Sequence, residues 1–231
     1  MTVEEQLQHD IEVLDSVEAG AAPAFRTWRT DRPAVVVGCS VEIDAEVDVE
    51  LCRRHDIAIV RRASGGRSVL VGPGTLQYAF VLPYSLAPEL RSISASKRYC
   101  NGLLLRHLAG AGRATAADDL GEDESGDLVA MRRKVAGLAL KRRRHAMLLH
   151  GTLLERADIA LIEAALKHPL REPAYRRGRA HGSFLGNLGS VDERLLEQAV
   201  RAELAKRAAA WTVHERSSRD AQKPVGSGQA Q

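Results

Sequence analysis

Cysteine is scarce: the 231 residues contain three, Cys39, Cys52 and Cys100. Three thiols make no disulfide framework, and their spacing matches no metal-ligand pattern. They are expected as small buried hydrophobes in a reducing, cytoplasmic setting. Aromatic side chains are only 4% of the chain, too few for the stacking platforms of single-stranded nucleic-acid binders. No apolar run approaches the roughly 18 residues needed to span a bilayer. The segment Met1 to Ile11 is polar and acidic, without the charged-then-apolar order of a secretory signal. A membrane partner is therefore not expected. Excess charge is also lacking, at +3 net.

What charge there is lies unevenly. Seven Lys or Arg residues and no acid fall between Met131 and His145, just after six acids and no base between Asp118 and Asp127. A second basic cluster comprises Arg171, Arg176, Arg177 and Arg179. Such asymmetry suits an anionic ligand or an acidic protein surface, and it equally suits solvated faces.

Apolar spacing predicts a helix over Glu4 to Val17, a strand over Ala34 to Val37, and a short helix over Val49 to His55 with Val49 and Cys52 inward. Strands follow at Ile57 to Val60, Val69 to Val71 and Leu76 to Leu82, then a helix from Ser94 to Ala109. The acidic stretch around Glu122 reads as a surface loop. Val135 to Leu140 and Ala146 to Leu154 read as a hairpin with a long basic connection at Lys141 to Arg144, then a short helix over Ile159 to Leu166. After the Gly-, Pro- and Arg-rich Pro169 to Asn187, a long helix is expected over Val191 to Trp211, capped near Ser190 and Asp192. The chain thus reads as one domain over residues 1–216 with a polar tail over 217–231. Its class is α+β, a mixed central sheet with flanking helices.

Three local features point to chemistry, and a fourth is set aside. Arg61-Arg62-Ala63-Ser64-Gly65-Gly66 follows a strand, where freed backbone N–H groups and a forked guanidinium would face phosphate oxygens. Its glycine spacing is neither a P-loop nor a dinucleotide fingerprint, and it also reads as an ordinary turn. Lys134 opens an otherwise apolar strand, where it would hold a phosphate or carboxylate, or belong to the basic surface with Arg132 and Arg133. His150 interrupts an apolar strand, so it needs a hydrogen-bond partner or a cavity, and Gly151 permits close approach. His181-Gly182-Ser183 is not a nucleophile elbow.

Taken in order, Arg61 to Gly66, Asp127-Leu128, Lys134-Val135-Ala136-Gly137 and His150 to Leu154 resemble lipoate-protein ligase A and its relatives. That is the biotin/lipoate protein ligase and octanoyltransferase superfamily. Phe25 to Trp28 and Val35 to Gly38 resemble its opening, and the likeness spans roughly Gln6 to Leu188. The resemblance implies a fold related to class II aminoacyl-tRNA synthetases and biotin ligases. It implies activation of lipoate or octanoate by ATP and Mg2+ as an acyl-adenylate, then transfer to a lysine of a lipoyl carrier domain. By motif, Lys134 would stabilise charge on the activated carboxyl. Arg61, Arg62, Ser64, Gly65, Gly66 and Gly137 would line the acyl-adenylate pocket. Asp127 would hold magnesium or nucleotide, and His150 with Gly151 would form a wall. The chain departs from the pattern at Arg67, where relatives carry a third glycine, at Val71-Gly72 in place of His-Asp, and at Gly126 before Asp127.

The rival on the same fold is an octanoyl or lipoyl transferase working through a cysteine after the lysine motif; all three cysteines here precede Lys134. A non-catalytic carrier-binding or nucleic-acid-binding protein is the alternative from another class. Against nucleic acid stand the few aromatics and the small net charge. The Lys141 to Arg144 corner is expected instead to meet an acidic carrier and steer its lysine toward Lys134. A separate accessory subunit is a further expected partner.

Overall fold

Thr2 begins the first helix with a capping box: its hydroxyl accepts from Glu5 N, and the Glu5 carboxylate accepts from Thr2 N. The computed structural model describes residues 1–111, 119–169 and 172–221. In chain order these form α1 (Val3–Glu18), β1 (Ala24–Trp28), β2 (Ala34–Val37), α2 (Ile43–Glu46), α3 (Val49–Arg54), β3 (Ala58–Arg61), β4 (Val69–Val71) and β5 (Thr75–Pro83). Then come α4 (Ile93–Ala111), β6 (Gly121–Glu122), β7 (Leu128–Ala130), β8 (Arg133–Arg142), β9 (Ala146–Leu154), α5 (Ile159–Ala165), α6 (His181–Phe184) and α7 (Glu193–Ala221).

Two sheets result. Six antiparallel strands run in the order β1-β5-β9-β8-β7-β6, and β3-β2-β4 form a smaller sheet with one parallel and one antiparallel pair. β2, Ala-Val-Val-Val, is buried along its whole length, as a strand covered on both faces must be.

Alternation divides the large sheet. Leu76, Phe80 and Leu82 join Leu103, Leu104 and Leu108 of α4 and Leu196, Val200 and Leu204 of α7 in the main core. Full burial of each such side chain contributes about 1.5–3 kcal/mol. Glu203 of α7 ties the two helices by accepting from Arg106 and pairing with His107 of α4. The opposite face packs Ala79, Val81 and Leu148 against Leu14 and Val17 of α1. Trp28, Val36 and Val71 meet Val3 beside it, where the small sheet covers the large one.

Several expectations need correction. Val49 is 39% exposed, although Cys52 beside it is buried, because a helix of six residues turns one face inward. Cys39 is exposed. The acidic stretch is not all loop: Gly121–Glu122 pairs with Leu128 and Val129, and Asp123 closes the turn by accepting from Ser125 N and Asp127 N. Lys141 and Arg142 belong to β8, paired with Leu148 and Met147, so the hairpin connection is only residues 143–145. Asp192 caps the last helix by accepting from Leu195 N. That helix continues to Ala221, and 222–231, the rest of the expected tail, lie outside the described residues. No helix among the described residues is long and apolar enough to cross a membrane.

Candidate active site

A cavity of about 460 Å³ is lined by both sheets and by α1, with Pro173, Arg176, His181, Phe184 and Leu185 along another side. That is the size of a small-molecule site.

Lys134 stands at one end. Its ammonium is 2.8 Å from Asp127 Oδ1, and Tyr175 donates to Asp127 Oδ2 at 2.9 Å. The lysine lies flat across Gly137: a Cβ there would come 2.8 Å from both Cε and Nζ. Gly137 is therefore what lets the charge rest against the sheet. A side chain at Gly151 would collide with the Tyr78 hydroxyl and the Gly137 carbonyl. Burial and the Asp127 carboxylate push the Tyr175 phenol up, so it remains a donor. His181 is pushed down to about 4 by burial and by Arg176, which keeps it uncharged at neutral pH.

His150 has the partners its position demands. Nε2 is 2.6 Å from Ser64 Oγ and Nδ1 is 3.1 Å from Asp10 Oδ2; Asp10 in turn pairs with Arg26. This is the order of a Ser-His-Asp triad, yet Ser64 is 1% exposed, lies outside the cavity lining and also accepts from Arg62 Nε. The chain of bonds braces the glycine loop against β9 and α1.

The loop itself turns inward on its own backbone. Arg62 donates to the carbonyls of Val36, Gly65 and Arg67. Burial lowers its pKa to about 10, so it stays charged. Arg61 donates to the carbonyls of Gly38, Cys39 and Val41 and is not in the cavity lining; Gly65 and Gly66 are not either. The structure thus brings together Lys134, Asp127, Gly137, His150, Gly151 and Arg62 at the cavity. It leaves Arg61, Ser64, Gly65 and Gly66 behind the lining as its support. The departure residue Arg67 lines the cavity and pairs with Glu46 at 2.6 Å; Ser68 N and Oγ also donate to Glu46.

None of the three cysteines lines the cavity; Cys100 is in the main core, where burial pushes its thiol well up. Among the described residues no three His, Cys, Asp or Glu side chains form a metal cluster. Magnesium commonly uses one or two carboxylates and completes its shell with phosphate and water, and Asp127 fits that single-carboxylate role. The basic corner is remote: Lys134 and Arg142 are eight positions apart on β8, about 27 Å at strand rise.

The sequence reading missed Asp10, Gln77 and Tyr175. Asp10 had a signal, because it occupies the buried stripe Val3, Leu7, Asp10, Leu14, Val17 of an amphipathic helix. An acid there must find a partner. Tyr175 lies in the segment Pro173 to His181, which resembles a ligase-like subgroup without marking any one residue, and Gln77 had no signal.

The model of the lipoyl protein ligase A/B catalytic domain matches residues 2–208. The chain belongs to that family. Among its relatives, Lipoate-protein ligase A subunit 1 of Thermoplasma acidophilum is 26% identical over 168 residues, 71% of this chain and 62% of that protein. The match therefore spans less than two thirds of that relative. Octanoyltransferase LipM of Geobacillus kaustophilus is 26% identical over 83% of this chain and 73% of its own length. Two solved structures share the fold. A bipartite lipoate protein ligase, described with its E2 lipoyl domain, from Thermoplasma acidophilum superposes with a TM-score of 0.69 at 22% identity, over 88% of this chain and 78% of that one. A lipoate-protein ligase A bound with ATP gives 0.67 at 21%, over 90% and 81%. Family membership makes the cavity the candidate catalytic centre of an enzyme in the lipoate and octanoate ligase–transferase group.

Proposed function

We propose that the protein is an ATP-dependent lipoate-protein ligase. In the reaction, the carboxylate of a lipoate-like acid attacks the α-phosphorus of ATP, and pyrophosphate leaves. The amine of a carrier lysine then attacks the acyl carbonyl, AMP leaves, and the amine gives up its proton. The observation that carries this reading is the cavity's chemistry: an ammonium, Lys134, at one end and no thiol in the lining. A transferase that holds its acyl group as a thioester needs a nucleophile the lining lacks. An adenylating enzyme needs positive charge where the acyl-phosphate develops negative charge, in a site that excludes water.

In this reading Lys134 is the electrostatic catalyst. Asp127, itself bonded by Tyr175, fixes where the ammonium lies and yields it to the more negative acyl-phosphate. Magnesium, when bound with the nucleotide, neutralises phosphate charge, and Asp127 is the residue to hold it. Arg62 and the His150 brace keep the loop rigid beneath the ligand.

The carrier approaches at the Lys134 end. There β7 and β8 are joined by a two-residue turn, Met131-Arg132, with both φ values positive, 48° and 61°. Such turns strongly favour Asn-Gly, so two bulky residues held there are strained. Met131 is nonetheless 61% exposed, Arg132 is exposed beside it, and Arg179 donates to the Arg132 carbonyl. An apolar tip ringed by guanidinium groups suits an acidic carrier domain. By likeness to the bipartite Thermoplasma ligase, a second polypeptide assists.

The test is the intact mass of a lipoyl domain incubated with the protein, lipoate or octanoate, and magnesium, with and without ATP. The expected result is an ATP-dependent gain of one acyl mass, reduced about 10³-fold by Lys134→Ala. Transfer from an acyl-carrier thioester without ATP would overturn the ligase in favour of the transferase.

A further inference from the structure

Two side chains of α4 grip the turn that carries Asp127, and the proposed reaction assigns them nothing. Lys97 and Asn101 are four residues apart, so they share one face of the helix. Leu104 and Leu108 continue that face in the main core, and Asn101 is itself 0% exposed. Its Nδ2 donates to the Gly126 carbonyl at 2.9 Å, and the Lys97 ammonium donates to the Ser125 carbonyl at 2.8 Å. These two carbonyls are consecutive and directly precede Asp127. On the same turn Asp123 Oδ1 accepts from Asp127 N at 2.8 Å. Gly126 makes room for the grip: its φ is +90°, and a Cβ there would come 2.8 Å from Lys97 Cδ. The lysine stem thus crosses the place where another residue would put a side chain.

Holding the turn this way costs stability. The Asn101 amide must aim its NH2 at the Gly126 carbonyl, and its Oδ1 is left buried with no hydrogen-bond partner among the described residues. A buried acceptor in that state destabilises the fold, and it calls for an explanation. What the amide secures is the backbone beneath Asp127. Asp127 Oδ1 in turn pairs with the Lys134 ammonium at 2.8 Å.

We propose that Asn101, assisted by Lys97, is a positioning residue for the reaction. Through the Gly126 carbonyl it sets the place of Asp127, and through Asp127 the place of the Lys134 ammonium. This rests on the reading of Lys134 as the charge that meets the activated acid. Neither α4 residue lines the cavity; the pair decides where a charge in the cavity lies.

The test reads Lys134 itself beside turnover. The whole protein is treated with limiting N-hydroxysuccinimidyl acetate, acetylation of each lysine is followed by peptide mass spectrometry, and ATP-dependent carrier modification is measured in parallel. Asn101→Leu removes the unpaired Oδ1 and unpairs the Gly126 carbonyl instead, so its thermal melt is expected within a few degrees of the unaltered protein. Lys134, no longer held by its carboxylate, is expected to acetylate several-fold faster, with Lys141 and Lys167 unchanged as internal references. Carrier modification is expected to be about tenfold slower, from a sub-ångström displacement. Lys97→Met, which keeps the stem and drops the ammonium, is expected to show a smaller change of the same kind. In an Asp127→Ala background, where the ion pair is already gone, Asn101→Leu is expected to add little to either reading. Undiminished effects in that background overturn the route through Asp127. Unchanged acetylation of Lys134 with unchanged modification overturns the proposal. So does a lowered melt with every lysine faster, which leaves Asn101 a role in the fold alone. An unaltered protein that modifies no carrier removes the reading of Lys134, and the purpose of the grip with it, whatever the acetylation shows.

Discussion

The two ends of β8 carry similar sequence and have opposite surroundings. Arg132-Arg133-Lys134 enters the strand and Lys141-Arg142-Arg143-Arg144 leaves it. At the exit Arg142 is spent on structure: it donates to the Tyr84 hydroxyl and the Arg91 carbonyl and stacks on the Tyr84 ring, while Arg143 reaches Asp15 of α1. At the entrance Lys134 has one carboxylate partner and a glycine beneath it, and it faces a cavity. Density of positive charge does not separate the two ends. What each charge is already bonded to does, because a guanidinium held by structural partners has fewer N–H groups left to give a ligand.

The contrast breaks most sharply through Gly137. Gly137→Ala puts a methyl 2.8 Å from the end of a flexible side chain, so the fold is expected to survive while the ammonium is displaced. Carrier modification should fall about 100-fold from misplacement of that order. A variant with unchanged rate would mean that Lys134 does not act from this position. Arg142→Ala should do the reverse. It removes two hydrogen bonds and a cation–π contact, costing about 1–2 kcal/mol in urea unfolding, with modification kept within about twofold; a larger loss of activity would return the corner to the carrier surface. The smallest effect belongs to the turn. Replacing Met131-Arg132 by Asn-Gly should relieve strain and stabilise by about 1 kcal/mol. The same change should slow modification of the carrier a few-fold without altering acid binding, and a faster or equal rate would remove the turn from the docking surface.

Much of the fold was legible in the residues. Apolar period located α1, α4, β2, β5 and β9, because one-sided burial leaves a regular trace. The short edge elements were harder: Gly121–Glu122 is two residues long and held by pairing, not by its own composition. In the site, Lys134, Asp127 and Gly137 were marked by ordered motifs and do come together. Arg61, Ser64, Gly65 and Gly66 were marked by the same motifs but support the lining from behind, since whether a loop's donors face a ligand or its own carbonyls depends on the fold. Asp10 was written into its helix stripe; Gln77 was not, because its place in the cavity lining depends on cross-strand register with a glycine 60 positions away.

The cavity has one sheet as its floor and another as part of its roof, so its girth and its reach are governed separately. Girth follows the spacing of packed sheets, about 10 Å, which no single exchange alters, since a strand that slipped by one residue would turn every side chain to the wrong face. Reach follows the row that ends at Gln77 and Trp28, where one exchange lengthens or shortens the space without touching Lys134. The space therefore adjusts to ligands of different length far more readily than to ligands of different thickness.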